Sequence, residues 1–169
     1  MSAITVYSAT VPVFKQLLGG LVTCIDKAAA HCEAKKIDPA AITTFRLYPD
    51  MFAFARQVQI TCDTAKGCMA RLAGVEIPKH EDTETTFTQL KERIAKTLAF
   101  IDTIKPEQLN GVEDREIVLQ MRAGPRTFQG LGYAMNFALP NFYFHVTTAY
   151  NVLRHNGIEV GKNDYLGKS

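Results

Sequence analysis

The sequence predicts an all-α protein, an up-down bundle of four helices with one short β-hairpin between the third and the fourth. Three observations predict it. Four segments carry apolar residues at alternating steps of three and four, cap and turn residues stand where those segments end, and a single stretch alternates residue by residue instead.

The first stripe is Val11, Phe14, Leu18, Leu21, Ile25, Ala28 and Cys32. The second is Met51, Ala55, Val58, Cys62, Ala65, Met69 and Leu72. Phe87, Leu90, Ile94, Thr97, Ile101 and Ile104 form the third, and Leu131, Met135, Ala138, Phe142, His145, Ala149 and Val152 the fourth. Each stripe lies on one face of a helix, as packing in a bundle requires. Thr97 and His145 are the polar members.

The ends agree with the stripes. Helix one runs from about Ser8 to Lys35-Lys36, where cations suit the helix dipole. Asp38-Pro39 opens a connection. Pro49 suits the first turn of helix two and Gly74 its C-terminal cap. Asp82 or Thr83 can cap helix three, with Glu84 in its first turn, and Lys105-Pro106 ends it. Gly157 can cap helix four. Between helices three and four, Ile117, Leu119 and Met121 alternate with Val118 and Gln120. Gly124-Pro125 and Arg126-Thr127-Phe128 follow, which reads as a hairpin. No repeat or linker divides the chain, so residues 1–169 read as one domain, with Leu166 to Ser169 a loose tail.

The chain has 169 residues, 47% of them apolar and 21% charged, which is the balance of a globular protein large enough to fold without staples. A net charge of +2 argues against nucleic acid and against an anionic membrane surface as partners. Cys24, Cys32, Cys62 and Cys68 form no C-x-x-C and have no zinc-finger spacing to histidine. They read as free thiols in a reducing cytoplasm. The N-terminus shows no basic segment ahead of an apolar core, so no signal peptide is expected. The least polar long stretch, Leu131 to Leu153, holds Asn136, Pro140, Asn141, His145 and Asn151, too many polar and helix-breaking groups for a membrane span.

Motifs that would name a reaction are missing. There is no dinucleotide or phosphate-binding glycine loop, no H-E-x-x-H and no E-x-x-H. Serine occurs only at positions 2, 8 and 169, which leaves no placement for a nucleophile with a triad. Tryptophan is absent, and no basic-aromatic strand offers a stacking platform for bases.

One constellation stands out. His145 lies on the inward stripe of helix four, with Asn141 four residues earlier on nearly the same face. Pro140 removes a backbone donor and opens the helix there, which places polar groups in an apolar interior. Arg56, Gln59, Asp63 and Lys66 form a row flanking the stripe of helix two, expected as a solvated face from which Gln59 looks inward. Asp63 is the better metal ligand but sits further round. Tyr143 is one of several aromatics that are mostly core and able to wall a pocket. The candidate pocket is thus His145, Asn141, Gln59, Asp63 and Tyr143. His31, His80 and His155 have no partner at ligand spacing.

Three segments carry a family resemblance: Arg46-Leu47-Tyr48-Pro49-Asp50-Met51, Arg56-Gln57-Val58-Gln59, and Leu139-Pro140-Asn141-Phe142-Tyr143-Phe144-His145. With the long helices, the late hairpin and the run to Leu153-Arg154-His155-Asn156-Gly157, the chain resembles the DinB-like (YfiT-like) superfamily of four-helix bundles, in a branch of unknown function. The resemblance covers nearly the whole chain. It implies a homodimer. Members of the wider superfamily often hold a divalent metal with three histidines, and some are transferases or isomerases that use low-molecular-weight thiols. On this sequence His145 matches the second histidine of helix four and Asn141 occupies the first position. The histidine of helix two falls near Gln59 or Gln57. Amide oxygens are poor ligands for zinc or nickel. The expectation is no tight metal; if one binds, His145 is its first ligand.

Three functions therefore compete: a bundle whose polar pocket around His145 binds a small molecule or lacks catalysis, a divergent metal-dependent enzyme of the thiol-transferase type, and a self-associating interaction protein.

Overall fold

The computed structural model describes residues 4–167. Helices take 65% of the described residues, and the only described strands are β1 (Glu116–Met121) and β2 (Gly124–Gln129), an antiparallel pair. The chain is therefore of the all-α class with a small sheet attached. In order come α1 (Val6–Lys35), α2 (Pro39–Thr43), α3 (Phe54–Ala73), α4 (Phe87–Thr103), a 3₁₀ turn (Pro106–Leu109), the two strands, α5 (Gly130–Tyr133), a π-helical turn (Ala134–Ala138), α6 (Leu139–His155) and α7 (Lys162–Leu166).

Four helices close a ring: α3 packs on α4 and α6, and α1 packs on the same two from the other side. The stripes face inward as their spacing requires. Phe14, Leu18 and Ile25 of α1, Val58, Cys62 and Met69 of α3, Leu90, Ile94 and Ile101 of α4, and Phe142, Ala149 and Val152 of α6 have no exposed surface. Phe14 meets Phe142 edge to face at 4.8 Å and ties α1 to α6. By length and composition α1 is apolar enough to cross a membrane, more so than the Leu131–Leu153 stretch singled out above. Half of that apolar window is buried within the fold, as in a core helix.

Caps explain where the helices begin. Thr5 and Ser8 exchange side-chain and backbone hydrogen bonds ahead of α1. α4 begins at Phe87, later than Asp82 or Thr83 would place it. The box is made by Thr86 and Gln89 instead, because Asp82 is committed to Arg56 and Arg93. α3 likewise begins at Phe54 and not near Pro49. The Phe54 N–H is satisfied by the Phe45 carbonyl at 2.9 Å, and the Arg46 guanidinium holds the Met51 carbonyl at 2.7 Å, folding residues 45–53 into a turn. Gly74 (φ 70°) ends α3, and Gly157 (φ 76°) follows α6, both in the left-handed region glycine tolerates.

The fourth stripe needs a correction. Leu131 and Met135 are exposed, while Gly130, Tyr133 and Ala134 are buried. The π turn inserts one extra residue, as the Leu139 N–H bonds to the Ala134 carbonyl five residues back. Upstream of it the inward face shifts by one position. The cause sits next to it: Pro140 donates no N–H and its ring crowds the preceding turn.

In the sheet, Ile117 pairs with Phe128 and Leu119 with Arg126. Ile117 and Leu119 are buried. Phe128 joins Tyr133 and Phe137 in an aromatic cluster that fastens the hairpin to the start of the last long helix.

Leu166, read from sequence as the start of a tail, ends α7 instead; positions 168–169 of that tail lie outside the described residues. α7 is strapped across α1 by the Lys27–Asp164 ion pair and by Gln16 to the Leu166 carbonyl, and is tied to α6 by the hydrogen bond between the Tyr165 and Thr147 hydroxyls. Gly20 makes this approach possible. A Cβ there would stand 2.2 Å from the Tyr165 carbonyl oxygen, whereas one at Gly19 would touch nothing within 4 Å. Gly20→Ala should therefore lift α7 and cost about 1–3 kcal/mol in urea unfolding, while Gly19→Ala should be neutral or stabilise by up to about 1 kcal/mol. Equal effects from the two would refute this account of the strap.

Candidate functional site

A buried cation organises one side of the site. Arg93 of α4 is 1% exposed. Its guanidinium donates to Asp63 of α3 (2.8 Å), to Asp82 (3.0 Å) and to Glu84 (3.1 Å), and also to the Glu81 carbonyl. Around it Lys66 pairs with Asp63 at 3.1 Å, Arg56 pairs with Asp82, and Gln59 bridges Arg56 and Glu84. The row Arg56, Gln59, Asp63 and Lys66 is thus no solvated face. Gln59 and Lys66 are buried, and the row closes on Arg93. Charge balance is the reason, since a guanidinium taken from water must be met by carboxylates. Arg93→Met should cost about 3 kcal/mol in chemical unfolding, the low end for a broken buried pair because Asp63 and Asp82 keep partial solvation. Asp82→Asn should cost no more than about 1 kcal/mol.

On the other side of α3, Gln57 meets His145. The Gln57 amide nitrogen donates to the Phe52 carbonyl (3.1 Å), which turns its oxygen toward α6. His145 Nδ1 lies 2.7 Å from that oxygen. An amide oxygen only accepts, so Nδ1 carries the proton and Nε2 keeps its lone pair. Burial, with the Arg56 charge second, lowers the pKa of His145 below its ordinary 6.5. The ring is neutral, with Nε2 an acceptor that has no partner among the described residues.

His145 stands on the wall of a cavity of about 560 Å³ between α3, β1 and the last long helix. Ile60, Asp63, Thr64 and Arg71 contribute from α3, and Val118, Leu119, Gln120 and Met121 from β1. Arg122 stands in the hairpin turn. Tyr133, Phe137, Ala138 and Asn141 complete it. Asn141 donates its side-chain N–H to the Phe137 carbonyl (2.7 Å) beside the π turn. Arg71 donates to the Tyr133 hydroxyl (3.1 Å), and burial pushes the Tyr133 pKa up to about 12.

The structure therefore brings His145, Asn141 and Asp63 onto one cavity. Gln59 turns away to Glu84, and its neighbour Gln57 takes the place beside His145. Tyr143 lies off the cavity, edge-on to Phe142 and 40% exposed. Arg71, Arg122 and Tyr133 were not foreseen. Tyr133 could have been found only by allowing for the π turn; Arg71 follows Lys66 and Gly67 on α3 and carried no signal of its own.

The family model described as a domain of unknown function (DUF1993) matches residues 6–166. The chain belongs to this family. Among solved structures it is similar to a DinB family member protein from Shewanella denitrificans, known from a crystal structure at 1.83 Å. Identity is 43%, the TM-score is 0.91, and the match covers 96% of this chain and 92% of that one. The DUF1993 chain is accordingly a DinB-like one, in a branch without an assigned function. No curated protein matches it.

The three-histidine metal set of the wider superfamily does not fit the residues of this DUF1993 chain. The helix-two position offers an amide whose oxygen already accepts from His145. Asn141 is bound to backbone, and the Asp63 carboxylate is held by two cations. Cys62 has no exposed surface, and burial pushes its thiol up to about 12. Among the described residues no three His, Cys, Asp or Glu side chains converge.

The depressed pKa of His145 makes stability depend on pH. The unfolded chain takes up a proton that the folded chain refuses. The stabilisation is complete above the ordinary value of 6.5 and is lost as pH falls from there through the lowered folded value. His80, lowered by burial and then by Lys66 and Arg93, titrates in the same direction. In a His80→Gln background, His145→Gln should flatten the loss of stability between about pH 6.5 and 5, measured by urea unfolding. An unchanged pH profile would show that His145 is not held neutral. At pH 7, His145→Ala should cost about 1–3 kcal/mol by stranding the Gln57 oxygen.

Proposed function

We propose that residues 1–169 form a single DinB-like domain, an up-down four-helix bundle with a hairpin. Its polar cavity around His145 binds a small organic molecule, without a tightly held zinc or nickel ion. One observation carries the reading. Gln57 fixes His145 in a single tautomer, so that the unpaired Nε2 acceptor belongs to a residue on the wall of a 560 Å³ cavity. A volume in this range suits a small ligand, and the walls supply both apolar surface (Ile60, Leu119, Phe137) and a few polar groups (Asn141, Asp63). Fixing a polar group costs entropy, and a recognition site is where a fixed acceptor lowers the cost of binding. The divergent metalloenzyme reading is disfavoured by the donor set, since tight zinc needs three or more good protein ligands.

We also infer a homodimer in a reducing cytoplasm. The exposed rings of Phe52 and Phe144 support the first, and four buried, unpaired cysteines support the second.

Elemental analysis of protein purified without a metal-affinity tag should find no near-stoichiometric zinc or nickel. Metal at one ion per chain, lost on His145→Ala, would put the metal-dependent thiol-transferase reading first. Light scattering at tens of micromolar should give twice the chain mass; the mass of one chain would remove the dimer.

A further inference from the structure

The geometry points to an organic carboxylate as the ligand of the His145 cavity: its acid group on Arg71, its apolar body against the hairpin, and a hydrogen-bond donor on His145 Nε2. This rests on reading the cavity as a ligand pocket. The charge on the walls carries it. Arg71 and Arg122 both line the cavity, and neither pairs with a carboxylate among the described residues. The one acid on the walls, Asp63, is already matched by Arg93 and Lys66. The unmatched charge of the cavity is therefore positive.

Arg71 is also held in place. One of its terminal nitrogens donates to the Tyr133 hydroxyl at 3.1 Å. The same nitrogen lies 2.5 Å from where a Cβ on Gly67 would stand. The guanidinium thus lies back along α3 in a notch that only glycine leaves open. Its remaining N–H groups keep the planar fork that matches two carboxylate oxygens. The half-buried seat gives such a pair more weight than a surface contact. Neutral His145 contributes no positive charge, so the acid is directed to the Arg71 end and a hydroxyl or amine N–H to the other. Ile60, Leu119 and Phe137 line the same cavity and give it the apolar surface that an apolar or aromatic body would cover.

The test uses matched probes on the full chain: 4-hydroxybenzoate, 4-hydroxyphenylacetate and 3-(4-hydroxyphenyl)propanoate, each with its primary amide, titrated by protein-observed NMR. At least one acid should bind ten-fold or more tightly than its amide and shift resonances of Arg71, Asn141 and His145. Arg71→Met should abolish that preference. Gly67→Ala keeps the guanidinium but displaces it, and should weaken the acid several-fold while leaving the amide unchanged. Acids and amides bound alike at His145 would overturn the carboxylate inference and leave the pocket standing. Preference for an acid that survives both substitutions would overturn it too. No binding of either class at millimolar concentration would overturn the inference and the pocket together. Tighter binding of 4-hydroxyphenyl phosphate than of every acid would show that the recognised group is a phosphate.

Discussion

Burying Arg93 is the constraint from which the rest of the site follows. A guanidinium at 1% exposure in the wall of a helical ring is tolerable only with carboxylates around it. Asp63 comes from α3, and Asp82 and Glu84 come from the segment ahead of α4. Recruiting that segment keeps it out of helix, delays the start of α4 to Phe87 and pins it over α3. Gln59 and Lys66 are drawn in to bond the carboxylates Glu84 and Asp63. One rotational setting of α3 satisfies the cluster, and in that setting Gln57 faces α6. The electrostatics on one flank of α3 thereby decide which amide meets His145 on the other.

The division of polar groups into matched and unmatched explains the character of the cavity. Asp63 is on its wall, but both its cations are elsewhere, and His145 has spent its proton on Gln57. What remains unmatched is the lone pair of Nε2 and the charge of Arg71 and Arg122. This is a recognition surface with one acceptor and a positive end, and not a coordination sphere. The three-histidine arrangement of related bundles would need ligand lone pairs converging on a point. Here the equivalent side chains bond to one another and to backbone.

The fold was largely legible because it depends on periodicity and punctuation, which are local. The stripes of α1, α3 and α4 and the caps at Gly74 and near Gly157 follow from spacing and from conformations only certain residues tolerate. Arg93 was missed for a physical reason. It sits between Leu90, Ile94 and Thr97 on the inward arc of α4, and a charged residue there has no meaning until three acids from other segments are brought to it. Choosing between Gln57 and Gln59 was equally out of reach, because the two differ by some 200° around a helix at about 100° per residue. Only the rotation of α3, fixed by long-range pairing, decides. His145 could be picked out because its oddity, an imidazole on an apolar stripe, is visible within seventeen residues.

The π turn shows how one backbone irregularity assembles a site. Tyr133, Phe137, Asn141 and His145 all line the cavity at successive steps of four. In a regular α-helix each step of four overshoots a full turn by about 40°, so three steps would carry His145 about 120° away from Tyr133. One inserted residue sets the helix back by about 100° and cancels most of that drift. The Arg71–Tyr133 contact and the Gln57–His145 contact can therefore open onto the same cavity, although twelve positions separate their α5 and α6 partners. The insertion is stabilised where it lies: Pro140 could not have continued the regular hydrogen-bond ladder in any case, and the Asn141 side chain takes up the Phe137 carbonyl at 2.7 Å. The same proline that disrupts the helix thus sets the register that lets one face of it serve both ends of the cavity.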